Sequence, residues 1–290
     1  RSEIAAALEL CRGEALQAFG KAEVFVERLL QQPRHIEIQI IGDGGAISHL
    51  GERECSIQRR HQKLVELAPA PGLAPDLAGK LANSAVVLAG AVDYRNIGTF
   101  EFLVDGDDFY FIEANPRLQV EHTVTEEVWG VDLVQTQLQL AGGASLANLG
   151  LTQKDVGPPR GQAMQVRINM ETIAPDGGVR PTGGVLESFE MPSGPGIRVD
   201  SFGYVGYRTS PSYDSLLAKL IAHAPGGDFA LLVQKTYRAL CECRITGLDS
   251  NIPFLQNLLT HPEFHAGGLH TGFIERHLAD LTGGADHQRL

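Results

Sequence analysis

Between positions 113 and 121 the chain reads Glu113-Ala114-Asn115-Pro116-Arg117-Leu118-Gln119-Val120-Glu121. Five side chains able to hold an ion or an oxyanion fall at every second position, with apolar residues or proline between them. Alternate residues of an extended chain share a face, so one side of this segment offers two carboxylates, two carboxamides and a guanidinium. The plainer alternative is an exposed edge strand whose polar alternation is chance. At ~3.3 Å per residue Glu113 and Glu121 would stand ~26 Å apart, too far for one small ligand. The segment must therefore bend, or serve two adjacent subsites.

Glu101 extends the array. The runs Thr99 to Val104 and Phe109 to Glu113 flank Asp105-Gly106-Asp107-Asp108, the pattern of a β-hairpin. Hard divalent cations take oxygen ligands, and magnesium at phosphoryl-transfer sites is typically held by one or two carboxylates plus substrate phosphates. Glu101, Glu113 and Asn115 could supply such a set. Directly opposed residues share a face, so Glu101 meets Glu113 only if the loop has an odd number of residues centred on Asp107; a two-residue loop would send the glutamates to opposite faces. A three- or five-residue loop is therefore expected if the pair binds metal, and a solvated pair of carboxylates if it does not.

Arg59, Arg60, His61 and Lys63 form a dense cationic cluster in a chain of formal net charge -11. A concentration of donors suits phosphate, carboxylate or bicarbonate, and a solvated surface turn is the competing reading. His35, before a strand-like run, reads by itself as a structural imidazole. The glycine runs at 42–45, 177–178 and 183–184 match no phosphate-binding fingerprint and read as turns.

These residues need elements to carry them. Residues 2 to 19 suit an amphipathic helix ending near Gly20, and Val24 to Glu27 a short strand. Arg34 to Ile41 alternates cleanly before Gly42-Asp43-Gly44-Gly45 and a return strand from Ala46 to Leu50. Residues 51 to 63 are polar, Ala68 to Pro71 breaks regular structure, and Leu77, Leu81, Ala85 and Leu88 place a helix over 76–92. Residues 123 to 140 read as one more helix. Glycine, proline and polar residues then accumulate from 142 to 161. Beyond them come strands at 162–170, 184–191 and 196–202 and helices at 228–243 and 251–259.

Length and composition leave room for one large domain or two ordinary ones. The acidic balance disfavours nucleic acid and anionic membranes as partners. No apolar run approaches the ~20 residues that span a bilayer. Cys11, Cys55, Cys241 and Cys243 are too few and too irregular for a disulfide framework, which points to reduced thiols and a cytoplasmic setting. Because the chain opens on Arg1-Ser2, a fragment or processed product is expected.

Three strings carry a resemblance: Arg59-Arg60-His61-Gln62-Lys63 through Pro71, Gly98-Thr99-Phe100-Glu101-Phe102, and Phe111-Ile112-Glu113 through Gln119-Val120-Glu121-His122 to Glu126. In this order and spacing the chain resembles biotin carboxylase, the ATP-grasp component of biotin-dependent acyl-CoA, pyruvate and urea carboxylases. Met164 to Asn169 and Tyr213 to Leu220 extend the resemblance to about residue 277. It implies an α+β fold: an ATP-grasp portion over 1–143, comprising a lid remnant and the metal and bicarbonate core, a linker over 144–160, the family's C-terminal domain of mixed antiparallel sheet and helices over 161–277, and a tail over 278–290.

The family uses ATP to activate bicarbonate as carboxyphosphate, then carboxylates N1 of biotin on a carrier protein. Matched residue by residue, Glu101 and Glu113, with Asn115 nearby, resemble the Mg2+ or Mn2+ ligands. Lys63, Arg117, Gln119 and the Val120 backbone resemble the bicarbonate pocket. Glu121 matches the base that deprotonates bicarbonate, and Arg167 the cation that stabilises the biotin enolate. On the nucleotide side, Glu27, Arg28 and Leu30 match the adenine-contacting hinge, His35 a contact near the ribose, and Gln58, His61 and Leu103 further ATP contacts. The resemblance also implies a biotin carboxyl carrier domain, a carboxyltransferase component and a homodimer.

The sequence departs from the family in lacking the Gly-rich, lysine-bearing lid loop that clamps the ATP phosphates. The chain therefore aligns with the C-terminal part of the enzyme, and inactivity in isolation is expected. Another ATP-grasp ligase, such as a carbamoyl-phosphate synthase large chain, and a non-catalytic ATP-grasp-like module are the competing readings.

Overall fold

The alternating run that begins at Arg34 separates two buried faces, not core from water. In the computed structural model, which describes residues 2–210, 213–284 and 287, strand β1 (Arg34–Asp43) is buried everywhere except at its two ends. Ile36, Ile38 and Ile40 join one hydrophobic cluster. Glu37 and Gln39, on the opposite face, are buried as well. Charge taken out of water is costly unless paired, so this polar face must find partners on neighbouring strands.

The chain divides into two bodies, Arg1–Gln31 and Gln32–Leu290. The first holds helix α1 (Ser2–Phe19), followed by Gly20 in the left-handed region at φ 72°, a conformation glycine adopts without a Cβ penalty. Val24 to Glu27 forms no strand, contrary to expectation. Alternation makes a strand only where a neighbouring strand satisfies the backbone, and none pairs with this segment among the described residues.

In the second body β1 pairs on one side with β2 (Ile47–Arg59), which continues through β3 (Gln62–Ala68). The strand expected to end at Leu50 thus continues through the polar residues 51 to 59, and Arg60 and His61 form the tight turn at φ 47° and 65°. Helix α2 (Pro75–Gly90) follows, and β4 (Arg95–Asp105) returns along the other side of β1, leading into β5 (Asp108–Asn115). Leu77, Leu81, Ala85 and Ala89 pack α2 onto Ile36, Ile38, Phe100 and Phe102. Trimming Leu81, which is fully buried, to alanine would cost about 2–5 kcal/mol.

Two helices replace the single one expected over 123–140: α3 (His122–Trp129) and α4 (Leu133–Ala141). Gly130 ends α3 at φ 66°, and a Cβ there would collide with the Arg160 guanidinium. The 142–161 stretch contains α5 (Leu146–Leu149), closed by a capping box between Ser145 and Asn148.

β6 (Gln162–Asn169) then pairs with β3, placing Glu66 opposite Gln165. β7 (Glu171–Ile173) and β8 (Val179–Pro181) form a small hairpin, and β9 (Ser188–Glu190) pairs further along with β12 (Arg244–Thr246). β10 (Ile197–Ser201) and β11 (Leu216–Ala224) complete an eight-stranded antiparallel sheet in the order β10-β11-β6-β3-β2-β1-β4-β5. Helices α6 (Phe229–Glu242) and α7 (Ile252–Thr260) cover its β6–β11 end through Leu232, Leu240, Leu255 and Leu258. The sheet therefore runs without interruption through strands drawn from both sides of the 142–161 stretch. Part of the expected tail, at 285, 286 and 288–290, lies outside the described residues.

Candidate active site

Glu101 and Glu113 are ladder partners, but not through the odd loop the parity argument requires. Asp105 pairs with Asp108, so the hairpin loop is the two residues Gly106 and Asp107. A register shift between Glu101 and Phe102 leaves Ile112 as an extra residue on β5. This bulge restores the parity that the short loop breaks. The Asn115 amide then donates to Glu101 Oε1 and Glu113 Oε1, each at 2.8 Å. Two carboxylate oxygens thus meet at the Asn115 Nδ2, while the Asn115 Oδ1 accepts from Arg117. Such an all-oxygen donor pair fits a hard divalent cation.

Beyond Asn115 the chain bends, as its length demands. Gln119 comes back to donate from Nε2 to Glu101 Oε1 at 2.6 Å, and Glu121 stands at the N-cap position of α3. His35 completes the surround of Glu101, its Nε2 2.7 Å from Oε2. The Gln58 amide lies 3.3 Å from His35 Nδ1. With Nδ1 accepting from that amide, Nε2–H donates to Glu101. Burial opposes ionisation of Glu101, yet the His35 bond, Lys63 and Gln119 outweigh it and hold its pKa at about 2.

Lys63 is the hub. Its ammonium donates to Glu37, to Glu121 Oε1 at 2.7 Å and to Glu101 Oε1 at 3.4 Å. Burial alone would lower its pKa, but the surrounding carboxylates, Glu37 foremost, raise it above the usual lysine value. Glu37 answers on β1: burial raises its pKa, Lys63 and Arg53 overcome that, and the group sits at about 2. Arg53 is fully buried and spends its fork on Glu37 Oε2 at 2.9 Å and 3.1 Å, Gln39, Thr99, Thr125 and Gln119.

Arg167 closes the other side. It donates to Glu66 Oε1 at 2.6 Å and to Glu121 Oε2 at 3.1 Å. Burial would lower the arginine pKa, and Glu66 and Glu121 raise it instead. Glu66, itself fully buried, is pushed above the ordinary carboxylate value by burial, with Arg167 acting against the shift. Glu121 is thus gripped by one cation at each oxygen. Beside it opens a cavity of about 270 Å³ lined by Lys63, Arg117, Val120, Glu121 and Arg167 among others.

Of the residues singled out in the sequence, Lys63, Glu101, Glu113, Asn115, Gln119, Glu121 and Arg167 come together in this one network, and Val120 lines the cavity beside it. Arg117 is exposed, lines the cavity and donates to Asn115 Oδ1 at 3.1 Å. His61 lines the same cavity from the β2–β3 turn. Leu103 pairs with His35 in the ladder. Glu27, Arg28 and Leu30 belong to the first body. The cationic cluster divides: Lys63 faces the carboxylates, whereas Arg59 is buried with its Nη2 3.6 Å from Glu171 and 2.9 Å from Gln62. Glu37, Arg53 and Glu66 escaped the sequence reading. A usable signal existed for Glu37, two residues from His35 on the same strand face.

Comparison with known proteins fits this geometry. Residues 1–149 match the family model described as carbamoyl-phosphate synthase L chain, ATP binding domain, and residues 165–276 match that of the biotin carboxylase C-terminal domain. The chain belongs to the biotin carboxylase family. The second match sets it apart from carbamoyl-phosphate synthases, with which it shares the ATP-binding module. It is 47% identical over 278 residues to pyruvate carboxylase of Aspergillus niger, covering 95% of this chain but 23% of that enzyme. Among solved structures, the biotin carboxylase domain of a single-chain bacterial carboxylase superposes with a TM-score of 0.83 at 47% identity, covering 93% of this chain and 61% of that one. The biotin carboxylase domain dimer of Hydrogenobacter thermophilus 2-oxoglutarate carboxylase, in complex with MgADP, ADP and bicarbonate, gives 0.89 at 38% identity, covering 98% and 61%. This biotin carboxylase segment thus spans under a quarter of the curated pyruvate carboxylase and about three fifths of the two solved domains. Its fold is the ATP-grasp type followed by the family's C-terminal domain. Among the described residues no helix is long and apolar enough to cross a membrane.

Proposed function

We propose that this chain supplies the metal, bicarbonate and biotin part of an ATP-dependent biotin carboxylation, in which bicarbonate is activated as carboxyphosphate and N1 of carrier-bound biotin is then carboxylated. The observation that carries the reading is the placement of Glu121 between Lys63 and Arg167 at the wall of the cavity. Bicarbonate entering there meets Lys63, Arg117 and the Val120 backbone as donors and Glu121 as the base that takes its proton. The freed oxygen attacks the terminal phosphorus of ATP, and ADP leaves; the carboxyl group of carboxyphosphate then passes to biotin N1, and inorganic phosphate leaves with the N1 proton. Arg167, charged at any working pH, faces the same cavity and would hold the oxygen of biotin as negative charge develops on it.

Glu101 and Glu113, with Asn115, would hold Mg2+ or Mn2+, whose chemistry is to neutralise the phosphate charge. His35, Gln58, His61 and Leu103 would contact the nucleotide. By the same reading the chain works with a biotin carboxyl carrier domain and a carboxyltransferase, and as a homodimer. We further infer that these 290 residues do not turn over by themselves, since their sequence holds no Gly-rich, lysine-bearing loop to cover the ATP tail.

The test is ADP release from MgATP, bicarbonate and free biotin by the natural gene product. Release that requires both bicarbonate and biotin is the expected result, with the 290-residue chain near background in parallel. ATP cleavage indifferent to bicarbonate would sink the reading.

A further inference from the structure

Two consecutive carbonyls beside the base are held by side chains. Gln119 O lies 2.7 Å from His122 Nδ1, and Val120 O accepts from Lys219 Nζ at 3.1 Å. A trans peptide points its N–H opposite to its C=O, so these two bonds decide which way the Val120 and Glu121 amides face. Lys219 is not among the residues lining the cavity. It acts from behind.

Lys219 is itself fixed. On β11 it stands directly opposite Asp200 of β10 in the ladder, its Nζ 3.3 Å from Asp200 Oδ2. Asp200 takes a fork from Arg198 at 2.9 Å and 3.1 Å. Arg198 reaches Glu126 at 2.8 Å and Glu127 at 3.4 Å, more than a turn into the helix that Glu121 begins. The β10–β11 pair therefore grips α3 at two places, just before its first residue and along its length. The Lys219 side chain is largely buried, and if the Val120 carbonyl turned away, one N–H of the ammonium would lose its acceptor out of reach of bulk water, with Asp200 as the remaining partner, at a cost. That cost resists rotation of the 120–121 peptide.

We propose that Lys219, seated by Asp200, is a positioning residue for bicarbonate: it fixes the Val120–Glu121 peptide, and with it the backbone that carries the Glu121 carboxylate, beside the Val120 amide that His122 orients through the Gln119 carbonyl. The proposal rests on the biotin carboxylase reading above. Lys219→Met keeps the length of the side chain and removes its donor. In the gene product it should raise KM for bicarbonate roughly 10- to 100-fold, the range of one charge-assisted hydrogen bond, with KM for ATP within about threefold. Lys219→Arg should restore most of the loss, and Asp200→Asn should shift KM for bicarbonate in the same direction by less.

A readout that needs no turnover accompanies the kinetics: the Val120 and Glu121 amide resonances of the isotope-labelled 290-residue chain should move in Lys219→Met and return towards their places in Lys219→Arg. Unmoved amides overturn the proposal, as does an unchanged KM for bicarbonate. Equal losses for ATP and bicarbonate with a lowered Tm overturn it too, since they describe a merely structural lysine. If the unaltered gene product shows no bicarbonate-dependent ADP release, the functional reading fails, and the amide resonances still decide whether Lys219 sets the peptide.

Discussion

Glu101 and Glu113 face each other across β4 and β5 because Ile112 is one residue too many. Without that bulge the two-residue loop would pair Glu101 with Ile112 and turn Glu113 to the far face. The two glutamates are nevertheless unequal. Glu101 is buried and bonded to His35, Gln119, Lys63 and Asn115, whereas Glu113 is exposed and, among the described residues, bonded to Asn115 alone.

That inequality separates metal binding from stability. Glu113→Gln should weaken Mn2+ binding by tenfold or more, roughly one charge-assisted contact, and leave Tm within about 2 °C because no buried partner is orphaned. Glu101→Gln should weaken the same binding and also lower Tm. Paramagnetic titration of Mn2+ and a thermal melt on each variant check both. Mn2+ affinity untouched by Glu113→Gln would remove that residue from the metal set.

Glu121→Gln tests the base. The substitution keeps the shape of the side chain and one acceptor oxygen, turns the other of the two oxygens shared out between Lys63 and Arg167 into an amide donor, and cannot take a proton. Bicarbonate-dependent ADP release in the gene product should fall by about 10²- to 10⁴-fold, while ATP affinity stays within about threefold. A comparable collapse of ATP binding would make Glu121 structural or a nucleotide ligand.

How far the sequence reveals this site depends on how local each cause is. Helix α2 is legible because Leu77, Leu81 and Ala85 repeat at helical spacing. Lys63 and Glu121 are legible as chemistry through the strings around them. The bulge at Ile112 is not, since a one-residue register shift depends on what β4 and β5 pack against. Arg53 is hidden for a different reason. Within Gly51-Glu52-Arg53-Glu54 it reads as one more surface charge, and only the placement of β2 between β1 and β3 puts it under Glu37, Gln39 and Gln119. The sequence pattern ends β2 at Leu50, whereas the strand runs on to Arg59, because a strand with both faces buried can carry polar residues on each.

Arg53 therefore yields a prediction of its own. Arg53→Met fits the space but strands Glu37, Gln39 and Gln119 without their shared donor. Breaking a buried pair from one side costs about 3–5 kcal/mol, so urea unfolding should show a loss of that order. Arg53→Lys should recover only part, because an ammonium cannot reproduce a planar fork. A loss under about 1 kcal/mol for Arg53→Met would mean that water replaces the guanidinium, against its complete burial.

Acid should unfold the protein through the same network. Glu37 and Glu101 have folded pKa values of about 2 against an ordinary 4.5. A depressed folded value contributes stability that is complete above the unfolded pKa and is lost as pH falls towards the folded one. Glu66 carries the opposite sign: its raised value favours the folded state below the unfolded pKa, and that share is lost as pH rises through the folded one. Two strongly depressed groups outweigh one raised group, so Tm should drop steadily as pH is lowered from about 5 towards 2. Glu101→Gln removes one of the two titrating groups and should flatten this acid limb while lowering Tm at neutral pH, where His35 and Lys63 lose their charged partner. Circular dichroism melts across that pH range provide the measurement. An acid limb as steep in Glu101→Gln as in the unaltered chain would show that Glu101 is not held ionised by its neighbours, and would undo the account of Lys63 as the hub that charges the site.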